Sequence, residues 1–187
     1  MKVFSVWSAK NNFHTTLILD SVIAIVNMTN FFDRLGIDVA PIFGRTNRDE
    51  QLRRFHLVNQ VNNPLNINYH NLQGMKWLNT ACPLAGKVEN KSIYFSPGKE
   101  PCYSLYENNP FQNQREKKKV CPYIYNCPVH KASNSLADAS VWIATPASMV
   151  YTRVPSHILR KNILFYELIY RKSDFLLIDE IDRVQVQ

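Results

Sequence analysis

The sequence predicts an α/β fold, a parallel sheet interrupted by an irregular segment that carries cysteines. Three observations predict it. Residues 16–43 read as strand, helix, strand with tight connections; an α/β pattern resumes after Lys131 and ends in an apolar strand; between them lies a stretch crowded with proline, asparagine and cysteine. Tight strand–helix–strand connections are the signature of a parallel crossover unit.

The first strand is Thr16-Leu17-Ile18-Leu19-Asp20, and Ser21 stands where a helix N-cap belongs. A helix is expected from Val22 to Leu35, with Val22, Ile25, Val26, Phe32 and Leu35 mostly at helical spacing and Gly36 as its left-handed stop. The second strand runs from Ile37 to Phe43 and ends at Gly44. Residues 45–60 carry Arg45, Arg48, Arg53 and Arg54 and read as a polar helix with one exposed face. From Asn62 to Pro128 the chain holds seven of its ten prolines and all four cysteines, so regular structure should be sparse. Beyond it, Ser133 to Ala139 reads as a short helix, Ser140 to Ala144 as a strand and Pro146 to Tyr151 as a helix. Asp174 to Ile178 reads as a fully buried strand that leads into Asp179-Glu180.

At 187 residues and 45% hydrophobic content the chain has room for one α/β domain and a modest insertion. Its longest apolar runs fall far short of the ~20 residues of a membrane span, and Met1 to Lys10 lacks the organisation of an export signal, so the cytoplasm is the expected compartment and no membrane partner is expected. The net charge of +7 suits an acidic partner. The excess concentrates around the cysteines, where Arg115, Lys117, Lys118 and Lys119 form a basic run. Alone, such a run is more often a solvated face than a binding site.

Cys82, Cys102, Cys121 and Cys127 each lie beside a proline, with 19, 18 and 5 residues between successive cysteines. Three readings compete: disulfides, unrelated buried thiols, and a four-thiolate metal site. The third is favoured because one irregular segment holds every cysteine and otherwise lacks a core. Structural zinc commonly uses closely paired Cys-x₂₋₄-Cys knuckles, which are missing here, so the spacing leans toward an iron-sulfur cluster, with zinc as the alternative. His130, three residues past Cys127, is a candidate only for a mixed zinc site.

Asp179 and Glu180 follow an apolar strand, which carries acids to the carboxyl edge of a sheet, where ligands bind in open α/β folds. There Asp179 suits magnesium and Glu180 suits a base for the water that attacks a γ-phosphate. The competing reading is an acidic first helical turn, favoured by the helix dipole. None of the five glycines belongs to a Gly-x-x-x-x-Gly-Lys phosphate loop, so this chain alone is not expected to hydrolyse ATP.

Taken in order, Thr16 to Leu35, the strand into Phe43-Gly44-Arg45, the four-cysteine segment, Leu136-Ala137-Asp138 through Thr145-Pro146 and Leu177-Ile178-Asp179-Glu180-Ile181-Asp182 resemble the first motor domain of iron-sulfur superfamily 2 DNA helicases of the XPD/DinG kind. The resemblance implies a partial RecA-like sheet in two parts, residues 1–74 and 133–187, around an iron-sulfur-type insertion over 75–132. It implies Cys82, Cys102, Cys121 and Cys127 as ligands of a 4Fe-4S cluster, and Asp179 and Glu180 as the acids that serve magnesium and water when ATP is bound. Asp20-Ser21 would lie in a loop near the DNA path, with Thr145 in a later loop on the same side. Arg115, Lys117, Lys118 and Lys119 would meet phosphates of single-stranded DNA, and Tyr103, Tyr106, Tyr123 or Tyr125 would stack on bases. A phosphate loop and a second motor domain, in cis or in trans, would complete such an ATPase. The sequence departs from the family in its acidic box, Asp-Glu-Ile-Asp in place of Asp-Glu-Ala-His. The competing class is a non-catalytic, metal-stapled module that binds nucleic acid or a protein.

Overall fold

The computed structural model describes residues 1–44, 47–62, 74–82, 84, 102 and 121–179. Four strands form its sheet: β1 (Thr15–Ile18), β2 (Val39–Ile42), β3 (Val141–Ala144) and β4 (Phe175–Ile178). Their spatial order is β2-β3-β1-β4 and every neighbouring pair is parallel. The chain is thus mixed α/β with a small parallel sheet.

The helices are α1 (Lys2–Lys10), α2 (Val22–Arg34), α3 (Arg48–Asn62), α4 (Met75–Leu78), α5 (Lys131–Asn134), α6 (Pro146–Tyr151) and α7 (Phe165–Lys172). Side chains alternate across a strand, so β1, β2 and β3 each feed two cores. Leu17, Val39, Val141 and Ile143 point to one face and pack with Ile25, Val26 and Phe32 of α2, Phe55 of α3 and Trp77 of α4. Ile18, Ala40, Ile42, Trp142 and Ala144 point to the other and pack with Leu136, Val154 and Phe165 and Ile169 of α7.

Local chemistry sets the helix ends. The Ser21 hydroxyl accepts the Ala24 N–H at 3.2 Å and caps α2. At the far end Gly36 has φ +68°, the left-handed conformation that glycine adopts without a Cβ penalty, and the Ile37 N–H closes back on the Phe32 carbonyl. Thr145 and Ser148 exchange side-chain and backbone hydrogen bonds at 3.0 and 2.9 Å, a reciprocal cap on α6 with Pro146 in its first turn.

The described strands and helices differ from the sequence expectations in several places. Strand β4, expected to be fully buried, is not: Leu176 and Ile178 are 48% and 37% exposed. The segment from Ser133 to Ala139 is helical, but it begins at Lys131 and tightens into a 3-10 turn over Ser135–Ala137. The α3 helix is not one uniformly exposed face: Arg53 and Arg54 are exposed on Glu50, whereas Arg48 is 7% exposed. Helices α1 and α7 have no counterpart in the sequence reading. In α1 the pattern is inverted, with Ser5 and Ser8 fully buried and Val3 and Trp7 exposed. The Ser8 hydroxyl is satisfied by the Thr15 hydroxyl at 2.6 Å, which lets a polar residue take an inward position against β1.

Candidate functional site: a carboxyl-end rim and a cysteine corner

Because the four strands are parallel, the residues that follow them gather at one edge of the sheet. Phe43-Gly44 follow β2, Thr145 follows β3, Asp20-Ser21 follow β1 and Asp179 follows β4, so the strand order sets them along the rim as Gly44, Thr145, Ser21, Asp179. Backbone hydrogen bonds hold the rim in place: the Leu19 N–H donates to the Ala144 carbonyl and the Asp179 N–H to the Ile18 carbonyl, both at 2.9 Å. Asp179 is exposed. Glu180 lies outside the described residues.

A cleft of about 280 Å³ opens between the ends of β2 and β3, lined by Val22, Phe43, Asn47, Arg48, Thr145 and Ser148 among others. Thr145 lines it directly, while Ser21 is represented by its neighbour Val22. Asn47 takes a left-handed φ of 61°, which asparagine tolerates, and so turns the chain into α3 beside the cleft. Asp179 is not part of the cleft wall; it stands across β1 from it.

Arg48 joins this rim to the cysteines. Its Nη1 donates to the Val129 carbonyl at 2.9 Å and its Nε approaches the Gly44 carbonyl at 3.4 Å, so a buried guanidinium bridges the loop after β2 and the chain just past Cys127. The sequence reading assigned Arg48 to an exposed face. The only signal for its real role is its place at the first turn of α3, directly after a strand end.

Cys121 and Cys127 are buried, and Cys82 and Cys102 are half-buried. The loop between the last two is closed by the Ile124 N–H on the Cys121 carbonyl, and the Asn134 Nδ2 donates to the carbonyls of Ile124 and Tyr125 at 2.7 and 2.9 Å. Burial pushes the Cys127 thiol pKa up, and nearby Cys82 and Cys121 push it further; the amide N–H groups of Val129 and His130 hydrogen-bond to it and pull it down. Cys82 and Cys121 thus both lie near Cys127. Cys102 approaches from the side of His130, with its Sγ 3.5 Å from Nε2. His130 is 3% exposed and its ring packs edge-on against that of His157, centroids 4.7 Å apart. No three His, Cys, Asp or Glu side chains among the described residues already stand in a metal-ligating arrangement. Tyr123 and Tyr125 are exposed.

Arg115, Lys117, Lys118 and Lys119, together with Tyr103 and Tyr106, lie outside the described residues, as does most of the 75–132 insertion. No helix of the described residues is long and apolar enough to cross a membrane. No family model, curated protein or solved structure matches the chain.

Proposed function

We propose that this chain is a lobe of a nucleic-acid-dependent ATPase, similar in kind to the first motor domain of an iron-sulfur helicase, acting on single-stranded DNA together with further motor parts. The observation that carries the reading is the rim: a parallel sheet that delivers Asp179, Ser21 and Thr145 to the same carboxyl edge. Open α/β sheets bind their ligands there. In this reading Asp179 provides the carboxylate for magnesium and Glu180 orients the attacking water, while Thr145 and Ser21 line the path of the nucleic acid. The sequence has no phosphate loop, so the cradle for the phosphates is supplied by another polypeptide segment.

What supports a metal group is that Cys82 and Cys121 lie near a buried Cys127, and thiolates brought together in this way are held by a cation or cluster. Cys82, Cys102, Cys121 and Cys127 are the residues that would hold an iron-sulfur cluster, 4Fe-4S in the favoured form and zinc in the alternative. When bound, the group supplies a staple for a segment with little core of its own.

The second reading is a non-catalytic, metal-stapled module that binds nucleic acid or protein. The missing phosphate loop favours it.

The test is anaerobic purification with iron, sulfide and zinc analysis, followed by titration of a labelled oligothymidylate. A brown protein containing iron and sulfide, bleached in Cys121→Ser, together with saturable DNA binding, is the expected result. A colourless protein loaded with zinc removes the iron-sulfur assignment. Failure to bind oligothymidylate removes the nucleic-acid reading.

A further inference from the structure

Cys121 and Cys127 each open the same kind of turn. In Cys121-Pro122-Tyr123-Ile124 the Ile124 N–H donates to the Cys121 carbonyl at 3.1 Å, and in Cys127-Pro128-Val129-His130 the His130 N–H donates to the Cys127 carbonyl at 3.0 Å. The fourth position is buried in both turns, at 7% exposure for Ile124 and 3% for His130. Of the two, the second carries a ring nitrogen into the interior. An imidazole buried where the sister turn uses isoleucine needs a polar partner.

That partner is a thiol. His130 Nε2 lies 3.5 Å from Cys102 Sγ, and edge-on packing against His157, centroids 4.7 Å apart, steadies the ring. The backbone beneath it is anchored as well, because Arg48 Nη1 holds the Val129 carbonyl at 2.9 Å. The same turn aims the amide N–H groups of Val129 and His130 at the Cys127 sulfur, and such bonds favour a thiolate there. One turn therefore serves Cys127 with its amides and Cys102 with its ring.

The separation of Cys102 and His130 is that of two ligands on one metal ion. A tetrahedral zinc ion, with Zn–S about 2.3 Å and Zn–N about 2.0–2.1 Å, sets a sulfur and a nitrogen ligand about 3.5 Å apart. A four-iron cluster on four cysteines takes one protein ligand per iron, so it has no place for a nitrogen beside a sulfur on the same atom. A hydrogen bond alone would give a similar distance. What favours the ion is the nearness of Cys127, whose sulfur the His130 amide itself contacts and around which Cys82 and Cys121 lie. Among the described residues no three donors stand in a ligating arrangement, so binding has to draw the remaining thiols in, as happens where a metal organises its own site.

We infer that His130 is a metal ligand: its Nε2 and the Cys102 thiolate are adjacent ligands of a single zinc ion, whose other two ligands are Cys127 and one of the two thiols near it. Zinc takes four ligands and five donors belong to this corner, so one thiol stays outside the shell. Binding releases the protons of the ligating thiols to solvent and uses the imidazole in its neutral form. The inference rests on the reading of the corner as a metal site and takes up its zinc form.

The experiment loads the metal-free full chain with one equivalent of zinc under anaerobic conditions and reads the ligand shell by X-ray absorption at the zinc edge. Three sulfurs and one nitrogen, with the outer-shell scattering of an imidazole ring, are expected for the wild type. His130→Ala should lose the imidazole scattering, with the spare thiol entering the shell, whereas His157→Ala should keep it. If the alanine variant fails to fold, His130→Cys places a thiolate at the same position and should give a shell of four sulfurs. A four-sulfur shell in the wild type, or imidazole scattering that survives either substitution of His130, overturns the proposal. A chain that holds an iron-sulfur cluster and refuses zinc also overturns it, while leaving the corner a metal site. Uptake of neither metal group removes the metal reading of the corner itself.

Discussion

Arg48 sits where a single side chain couples two regions that the sequence keeps 81 positions apart. Its guanidinium supplies the donor for the Val129 carbonyl, and removing it leaves a buried acceptor without that partner, at a cost of about 1–3 kcal/mol. Arg48→Met keeps the apolar stem and removes the donors. The expected outcome is a loss of that size in urea denaturation, with faster reaction of Cys127 toward a thiol reagent in the metal-free protein; unchanged thiol reactivity would separate Arg48 from the cysteine corner. His14 offers a second residue-scale test. Its imidazole is held below the ordinary 6.5, chiefly by burial against Trp142, with Lys172 adding to the shift and Asp174 opposing it. The unfolded chain then binds the proton more readily than the folded one. Stability from this group is present above pH 6.5 and is lost as pH falls from there through the lowered folded value. His14→Phe should flatten that part of the curve of urea midpoint against pH, and a variant as acid-sensitive as the wild type would dismiss His14 as the source.

Among the elements, α2 has both of its ends set by residues whose physical role is visible in the sequence. Ser21→Ala removes a side-chain acceptor from the first turn and is expected to cost about 1 kcal/mol. Gly36→Ala meets no neighbouring atom within 4 Å, so its expected cost, about 1 kcal/mol, comes from the left-handed backbone alone. Thermal melts of the two single variants and of the double should show roughly additive losses, because the sites lie at opposite ends of a 13-residue helix. The same physics explains which elements were legible. Ser21, Gly36 and the apolar strands announced β1, α2, β2, β3 and β4 to within a few residues, since cap chemistry and short apolar runs are local signals. Helix α1 was hidden because its buried face carries Ser5 and Ser8, satisfied by contacts that sequence alone does not reveal. In α7 the buried positions Phe165 and Ile169 are too few to set a period over eight residues. At the site, Asp179, Ser21 and Thr145 were readable as strand-end residues, whereas Arg48 needed the fold, because its partner lies on a distant loop.

At the scale of the whole molecule the question is whether the +7 charge acts as a diffuse field or through one segment. A solvated face would attract DNA weakly, with little dependence on any one cluster. A phosphate-binding segment behaves differently: each cation that meets a single-stranded phosphate releases a counterion and adds about 0.7 to the slope of log affinity against log salt. If Arg115, Lys117, Lys118 and Lys119 each meet a phosphate, replacing all four with alanine should reduce the magnitude of that slope by about 3 for oligothymidylate. Thr145→Ala removes a neutral hydroxyl at the rim cleft. It should weaken binding while leaving the slope unchanged, because a hydroxyl displaces no counterion. The pair of measurements thus separates the two places where nucleic acid is proposed to touch the chain. A quadruple variant that keeps the wild-type slope would return the basic run to an ordinary solvated face, and the strand-end rim would then have to account for DNA binding by itself.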